Sequence, residues 1–314
     1  MARTLIAAFV LILFPLTEAF LPLSDAVSEL PGYEDSINRL KTLSEASSSL
    51  EEREGESSIW NSCDLSCNQI GYQTKEGQHI LKGISFNIPQ GTNLAILGPS
   101  GSGKTTFVKI LQGISSPSEG SLLINGVEVL EDKAEKRHLS VLNQHPYLFD
   151  TSVLNNIRLG KPSATDEEVY EAAKRVQLHD FIVALPEGYQ TSMQEAGMRF
   201  SGGERQRIAL ARILLQETAV VLLDEPIVGL DSRTEQALRS TIFQVLEKKT
   251  VVWVTHHLVG MKRMDHIAFM EDGEIVMEGK HDELLMSSDR YRRLYELDAP
   301  FQLKNSHMTE KIIG

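Results

Sequence analysis

Three short runs in the middle of the chain are apolar with no polar face: Asn93–Leu97 (NLAIL), Ala219–Leu223 (AVVLL) and Thr250–Thr255 (TVVWVT). Runs of this kind predict strands buried in a parallel sheet with both sides covered. Two later runs, Ile267–Met270 and Glu274–Met277, flank Glu271-Asp272-Gly273 and predict a hairpin. Elsewhere the period changes. Lys104–Gln112, Asp166–Gln177 and Gly203–Gln216 place apolar residues three and four apart, which predicts helices, and the stretch from about 147 to 215 is mostly helical in character. Strands interleaved with helices predict an α/β fold. The ends differ. Leu5–Phe14 is continuously apolar, Pro15-Leu16-Thr17-Glu18 interrupts it, and Ala19–Leu23 follows. Residues 24–60 are mainly polar; Asp35–Leu43 carries a helical pattern, and the acidic, serine-rich Ser44–Ser58 reads as a linker. The folded domain is expected over 61–297, with 298–314 as a C-terminal tail. No internal repeat is visible.

Each buried strand is followed at once by chemistry. After the first comes Gly98-Pro99-Ser100-Gly101-Ser102-Gly103-Lys104-Thr105, the pattern G-x-x-x-x-G-K-[ST]. Its glycines let the backbone curl so that N–H groups hold phosphate oxygens, with Lys104 for the β- and γ-phosphates and the Thr105 hydroxyl for Mg²⁺. Thr106 continues into the helix whose positive end would face the phosphates. The second strand delivers Asp224 and Glu225. Asp224 can join a Mg²⁺ shell, and Glu225 can polarise a water for attack on the γ-phosphate. The 314 residues carry a formal charge of −12, which argues against a nucleic-acid surface. The two cysteines, Cys63 and Cys67, are too few for a four-ligand zinc site and read as ordinary thiols in a reducing compartment.

A phosphate loop alone would suit many nucleotide enzymes. Phe200-Ser201-Gly202-Gly203-Glu204-Arg205-Gln206-Arg207 narrows the choice. It resembles the LSGGQ signature of ATP-binding cassette (ABC) ATPases, departing from it at Phe200 and Glu204. That resemblance covers about 61–297 and implies a P-loop ATPase with a parallel-sheet core, an antiparallel β portion and a helical subdomain. It implies ATP and Mg²⁺ as cofactors. It also implies a head-to-tail dimer in which Ser201, Gly202, Gly203 and Glu204 act on the partner's ATP. Gln144, in Val141–Phe149, resembles the family's Q-loop glutamine, which senses Mg²⁺ and water on a loop facing the membrane domain. His256 resembles the switch histidine at the γ-phosphate and is favoured over its neighbour His257. Asp231, in Gly229-Leu230-Asp231, resembles the D-loop residue at the dimer seam. Tyr72 matches the aromatic that stacks on adenine. Glu195 fits the short acidic loop that precedes the signature in exporters, although Gln194 stands where a glycine is usual.

The N-terminal run is short of the ~20 residues of a full membrane span. It reads as the remnant (1–23) of a last transmembrane helix entering the cytoplasm. A secretory signal peptide conflicts with a domain that needs ATP; a buried or interfacial helix is the third reading. A membrane helix running into the ATPase resembles an exporter half-transporter at the cytoplasmic face of a bacterial plasma membrane, working with a second subunit on a small solute. Thr255–Met261, Met277–Leu285, Arg290–Tyr295 and Phe14–Leu23 resemble the CydC/CydD half-transporter family. That family forms a heterodimer that exports cysteine and glutathione and supports cytochrome bd assembly. The expectation is then a C-terminal fragment, or a gene with a misplaced start, lacking five membrane helices. A soluble ABC ATPase acting on DNA or ribosomes is the alternative, and the acidic balance and apolar N-terminus stand against it. An inactive regulatory cassette is disfavoured by the presence of Lys104, Asp224, Glu225 and His256 together.

Overall fold

The computed structural model describes residues 64–128, 139–194, 197 and 199–298. The expected membrane remnant, the linker, the tail beyond Asp298, Cys63 and Glu195 lie outside the described residues. Among those described, no helix is long and apolar enough to cross a membrane.

The described residues open with an antiparallel pair, β1 (Leu65–Gln73) and β2 (His79–Ile88). Strand β3 (Asn93–Leu97) leads through the glycine-rich loop into α1 (Lys104–Leu111). Strands β4 (Glu119–Ile124) and β5 (Val127–Glu128) return to the first pair, giving a four-stranded antiparallel sheet ordered β2-β1-β4-β5. After β6 (Leu139–Asn143) come α2 (Val153–Arg158), α3 (Asp166–Arg175), α4 (His179–Val183) and the long α5 (Gly202–Gln216). The remainder is β7 (Val220–Asp224), α6 (Ser232–Val245), β8 (Thr250–Thr255), the hairpin β9 (His266–Glu271) and β10 (Glu274–Gly279), then α7 (His281–Ser287) and α8 (Asp289–Asp298).

The second sheet has six strands in the order β10-β9-β3-β8-β7-β6. All neighbours pair parallel except β10 on β9. Side chains alternate across each strand, so the two faces fill different cores. Leu94, Ile96, Val220, Leu222, Val252 and Val254 pack with α1 and the antiparallel sheet. Ala95, Leu97, Val221, Leu223, Val251 and Trp253 pack with α5, α6 and the helical segment. Full burial of both faces explains why these strands carry no polar alternation. Sheet order places the C-terminal ends of β3, β6, β7 and β8 along one edge. Leu97 lies opposite Thr255, Asn143 opposite Asp224, and Asp224 opposite Val254.

Helix α8 runs through Asp298, one residue beyond the boundary expected for the domain. Strand β7 is set one residue later than the apolar run, so Asp224 is its last residue rather than the first of the loop. Helix α3 ends at Arg175 because Gln177 turns to a positive φ of 58°.

Candidate nucleotide site

The glycine-rich loop leaves β3 at Gly98 and enters α1 at Lys104. Gly98 has φ 153°, and a Cβ there would run into the Met270 carbonyl of the neighbouring β9. Gly103 has φ 101°, and a Cβ would stand 2.8 Å from Leu81 Cδ2. Both positions require glycine because the loop is pressed between the two sheets. The loop is anchored there, as the Gly273 amide donates to the Ser102 carbonyl at 3.2 Å. Pro99 accepts from the Ser102 amide at 3.3 Å, which closes the turn over Ser100 and Gly101.

Lys104 is buried at the start of α1, with its ammonium folded back into the loop. It donates to the Gly98 carbonyl at 2.7 Å and the Pro99 carbonyl at 2.8 Å. Burial lowers its pKa, opposed by the charges of Glu225 and Asp224. Asp224 is shifted the other way: burial raises its pKa, Glu225 raises it further, and Lys104 opposes. Two carboxylates and one ammonium thus share a partly dry pocket at the sheet edge.

The site fits a polyphosphate and a divalent cation. Helix α1 has no side-chain cap at its N-terminus and no acidic residue in its first turn, so its free N–H groups keep their capacity for an anion. Ser102 Oγ is buried and has no hydrogen-bond partner among the described residues. The Thr105 side chain is exposed beside it, and Thr106 is half-buried behind it. Asp224 and Gln144, the latter directly after the strand end opposite Asp224, supply the oxygen donors that Mg²⁺ prefers.

Glu225 sits in the left-handed region at φ 47°, uncommon for a residue with a side chain. Its amide donates to the Val254 carbonyl at 2.9 Å, so the turn off β7 is tied to β8. That tie brings its carboxylate to His256, whose Nδ1 lies 2.9 Å from Glu225 Oε1. The carboxylate accepts, so His256 carries a proton on Nδ1 and its Nε2 remains for another partner. His257 turns away: its Nδ1 donates to Asp298 Oδ1 at 2.9 Å, while the two imidazoles stack with centroids 4.1 Å apart.

The signature segment lies at the start of α5. Ser201 caps the helix, accepting from the Glu204 amide at 3.3 Å, and Glu204 returns the bond by accepting from the Ser201 amide at 2.8 Å. This is a capping box. A Cβ on Gly203 would stand 2.5 Å from Thr234 Cγ2, and one on Gly202 2.8 Å from Leu230 Cδ2. The paired glycines therefore let α5 close on the segment around Asp231. That aspartate caps α6, accepting from the Arg233 and Thr234 amides at 3.1 and 3.0 Å. Hydrogen bonding from Thr234, then from Arg233, holds its carboxyl below the usual range. Tyr72 lies on β1, half-buried against the antiparallel sheet's core.

Two residues that the sequence reading passed over join these parts. Gln206 is buried in α5 and donates through Nε2 to the carbonyls of Asn143 (3.0 Å) and Gln144 (2.7 Å), fixing the signature helix to the end of β6. Asn156, fully buried, bonds the Phe149 amide and carbonyl and the Ser152 carbonyl, shaping the loop after Gln144. On that loop Tyr147 and Phe149 make an edge-to-face pair 4.9 Å apart and are 66% and 48% exposed. Nothing local marks Gln206 apart from other helical glutamines.

Residues 81–228 match the family described as ABC transporter. The chain is 52% identical over 303 residues to the glutathione/L-cysteine transport system ATP-binding/permease protein CydD of Bacillus subtilis, covering 96% of this chain and 52% of that one. It is 37% identical over 233 residues to the mitochondrial ABC transporter B family member 24 of Arabidopsis thaliana, covering 74% and 34%. A solved structure of a bacterial Atm1-family ABC exporter with ATP bound superposes with a TM-score of 0.71 at 33% identity, covering 76% of this chain and 42% of that one. The chain thus spans about half the length of the Bacillus relative and less of the others.

Proposed function

Because the chain belongs to the ABC transporter family through its ATP-binding domain, we propose that it binds and hydrolyses ATP to drive export of a small thiol, cysteine or glutathione. One observation carries the hydrolytic part: Lys104, Asp224, Glu225 and His256 converge at one sheet edge, with Glu225 held on His256. The thiol part rests on the likeness to the Bacillus relative.

The reaction follows from the residues. The curled loop from Gly98 to Thr106 would cradle the phosphates on backbone N–H groups, and the Lys104 ammonium would neutralise them. Mg²⁺, held by Thr105, Asp224 and Gln144, would draw charge from the phosphate oxygens. Glu225 orients a water and accepts its proton as the water oxygen attacks the γ-phosphorus and the bond to the ADP oxygen breaks. With both ring nitrogens protonated, His256 would donate from Nδ1 to the Glu225 carboxylate and from Nε2 to the γ-phosphate. Tyr72 would stack on adenine.

A second subunit completes the site in this reading. Ser201, Gly202, Gly203 and Glu204 open a helix whose positive end would meet the partner's γ-phosphate, with Asp231 beside the seam. The exposed Tyr147–Phe149 pair, carried on the loop that begins at Gln144, supplies an apolar contact for a membrane domain. Closure of the ATP sandwich would turn that domain outward, and hydrolysis would release it. In this reading the assembly works at a bacterial plasma membrane, ATPase on the cytoplasmic side, with a heterodimeric partner and a role in cytochrome bd assembly.

A chimera tests the transport reading. This chain replaces the matching 303 residues of the Bacillus protein, co-expressed with that protein's partner subunit, in inverted vesicles. ATP-dependent uptake of labelled cysteine or glutathione is expected, abolished by Glu225→Gln. ATP hydrolysis without thiol uptake would leave an exporter ATPase and remove the thiol assignment.

A further inference from the structure

We propose that Asp298, the last residue of α8, is a positioning residue for His256, acting through the loop that follows β8. The proposal rests on the ATPase reading above. One carboxylate collects three donors from consecutive residues of that loop. Oδ1 accepts from His257 Nδ1 at 2.9 Å, and Oδ2 accepts from the Leu258 amide at 2.6 Å and the Val259 amide at 3.2 Å. The His257 amide is spent on Thr255 Oγ1 at 3.1 Å, so the loop is pinned at both ends of the histidine pair.

His256 itself has little to hold it. Its side chain is 43% exposed, and Glu225 is its hydrogen-bond partner among the described residues. Its other neighbour is the His257 ring, stacked at 4.1 Å and tilted by 39°. Asp298 fixes that ring as an Nδ1–H donor and fixes the backbone on its far side. The orientation of His256 toward Glu225 is thereby set by a residue 42 positions away in sequence, at the end of the C-terminal helix. Helix α8 has its own anchor elsewhere: Tyr291 is fully buried, and its hydroxyl lies 2.9 Å from His281 Nδ1. Docking of the helix and pinning of the loop are therefore separable.

A positioning role predicts a loss in turnover rather than in nucleotide affinity, because the phosphate loop lies on other strands. In the chimera described above, with its partner subunit present, Asp298→Ala should lower kcat for MgATP about tenfold, the order that sub-ångström misplacement of a reacting group produces, with KM within about twofold. Amides 255–259 should exchange faster with deuterium. Asp298→Asn should fall between, because its carbonyl still accepts from Leu258 and Val259 while its NH₂ cannot accept from His257. Tyr291→Phe loosens α8 at its other anchor and should leave kcat and exchange at 255–259 near wild type. Wild-type kcat in Asp298→Ala overturns the proposal, and so does an equal loss of kcat in Tyr291→Phe. If Asp298→Ala does not fold, wild-type kcat and exchange in Asp298→Asn overturn it. If the wild-type chimera with its partner subunit hydrolyses no ATP, the functional reading fails instead; exchange at 255–259 then decides the pinning on its own, and unchanged exchange in the Asp298 variants overturns it.

Discussion

Replacing Glu225 with glutamine separates binding from chemistry. The amide has the same shape, and its oxygen can still accept from His256 Nδ1, so the 2.9 Å contact survives. The backbone cost is also unchanged, because glutamine must occupy the same φ of 47°. What is lost is a base. A positioned general base contributes about 10²–10⁴ in rate, or roughly 3–5 kcal/mol of barrier. ATP should bind as well or more tightly, since one negative charge beside the phosphates is gone and the unfavourable pressure of Glu225 on Asp224 is relieved. A phosphate-release assay gives the rate, and a fluorescent-nucleotide titration gives the affinity. Glu225→Gly is the structural control. It sheds ~1–2 kcal/mol of left-handed strain against ~0.5–1 kcal/mol of chain entropy and about 1 kcal/mol for the lost His256 bond, so its melting temperature should hardly move while turnover is lost. Turnover in Glu225→Gln within threefold of wild type would refute the assignment and move the base elsewhere, with His256 the next residue to test.

Gly203→Ala should cost about 1–3 kcal/mol, because its methyl would overlap the Thr234 side chain and push α5 from α6; a wild-type melting temperature would contradict the packing argument. Burial pushes the Cys67 thiol up to about 12 from an ordinary 9.0. The folded state keeps this proton while the unfolded thiol loses it, so stability is intact below pH 9 and is lost as pH rises toward 12, by up to about 1.4 kcal/mol per unit. Subtracting the alkaline melting curve of Cys67→Ala from that of wild type isolates this slope, and identical curves would contradict it.

How much of the fold and site could be read in the sequence depended on whether the signal was local. The strands β3, β7 and β8 stood out because both their faces are buried, and the phosphate loop because its spacing is spelled by three glycines and a lysine. The strands of the four-stranded antiparallel sheet left no such pattern. In β1 the pairing with β2 shifts register between Cys67 and Ile70 and again up to Gln73, and Gln69 takes a φ of 50°, so bulges break the two-residue alternation. Position in the motif series singled out Gln144 and His256. It could not show that His257 is drawn away by Asp298, or that Gln206 fixes Gln144, since both bonds join residues more than 40 positions apart. Asp298 was assigned to the tail for the same reason: no local pattern marks the residue that ends α8.

The central claim is that the loop from Gly98 to Thr105 is the nucleotide site. Its most direct test is titration of the full chain with a fluorescent ATP analogue and Mg²⁺, wild type against Lys104→Ala. Saturable binding by wild type is predicted, with affinity falling at least about a hundredfold in the variant, because a buried ammonium that neutralises phosphate charge is removed. Near-equal affinities for the two proteins would contradict the account.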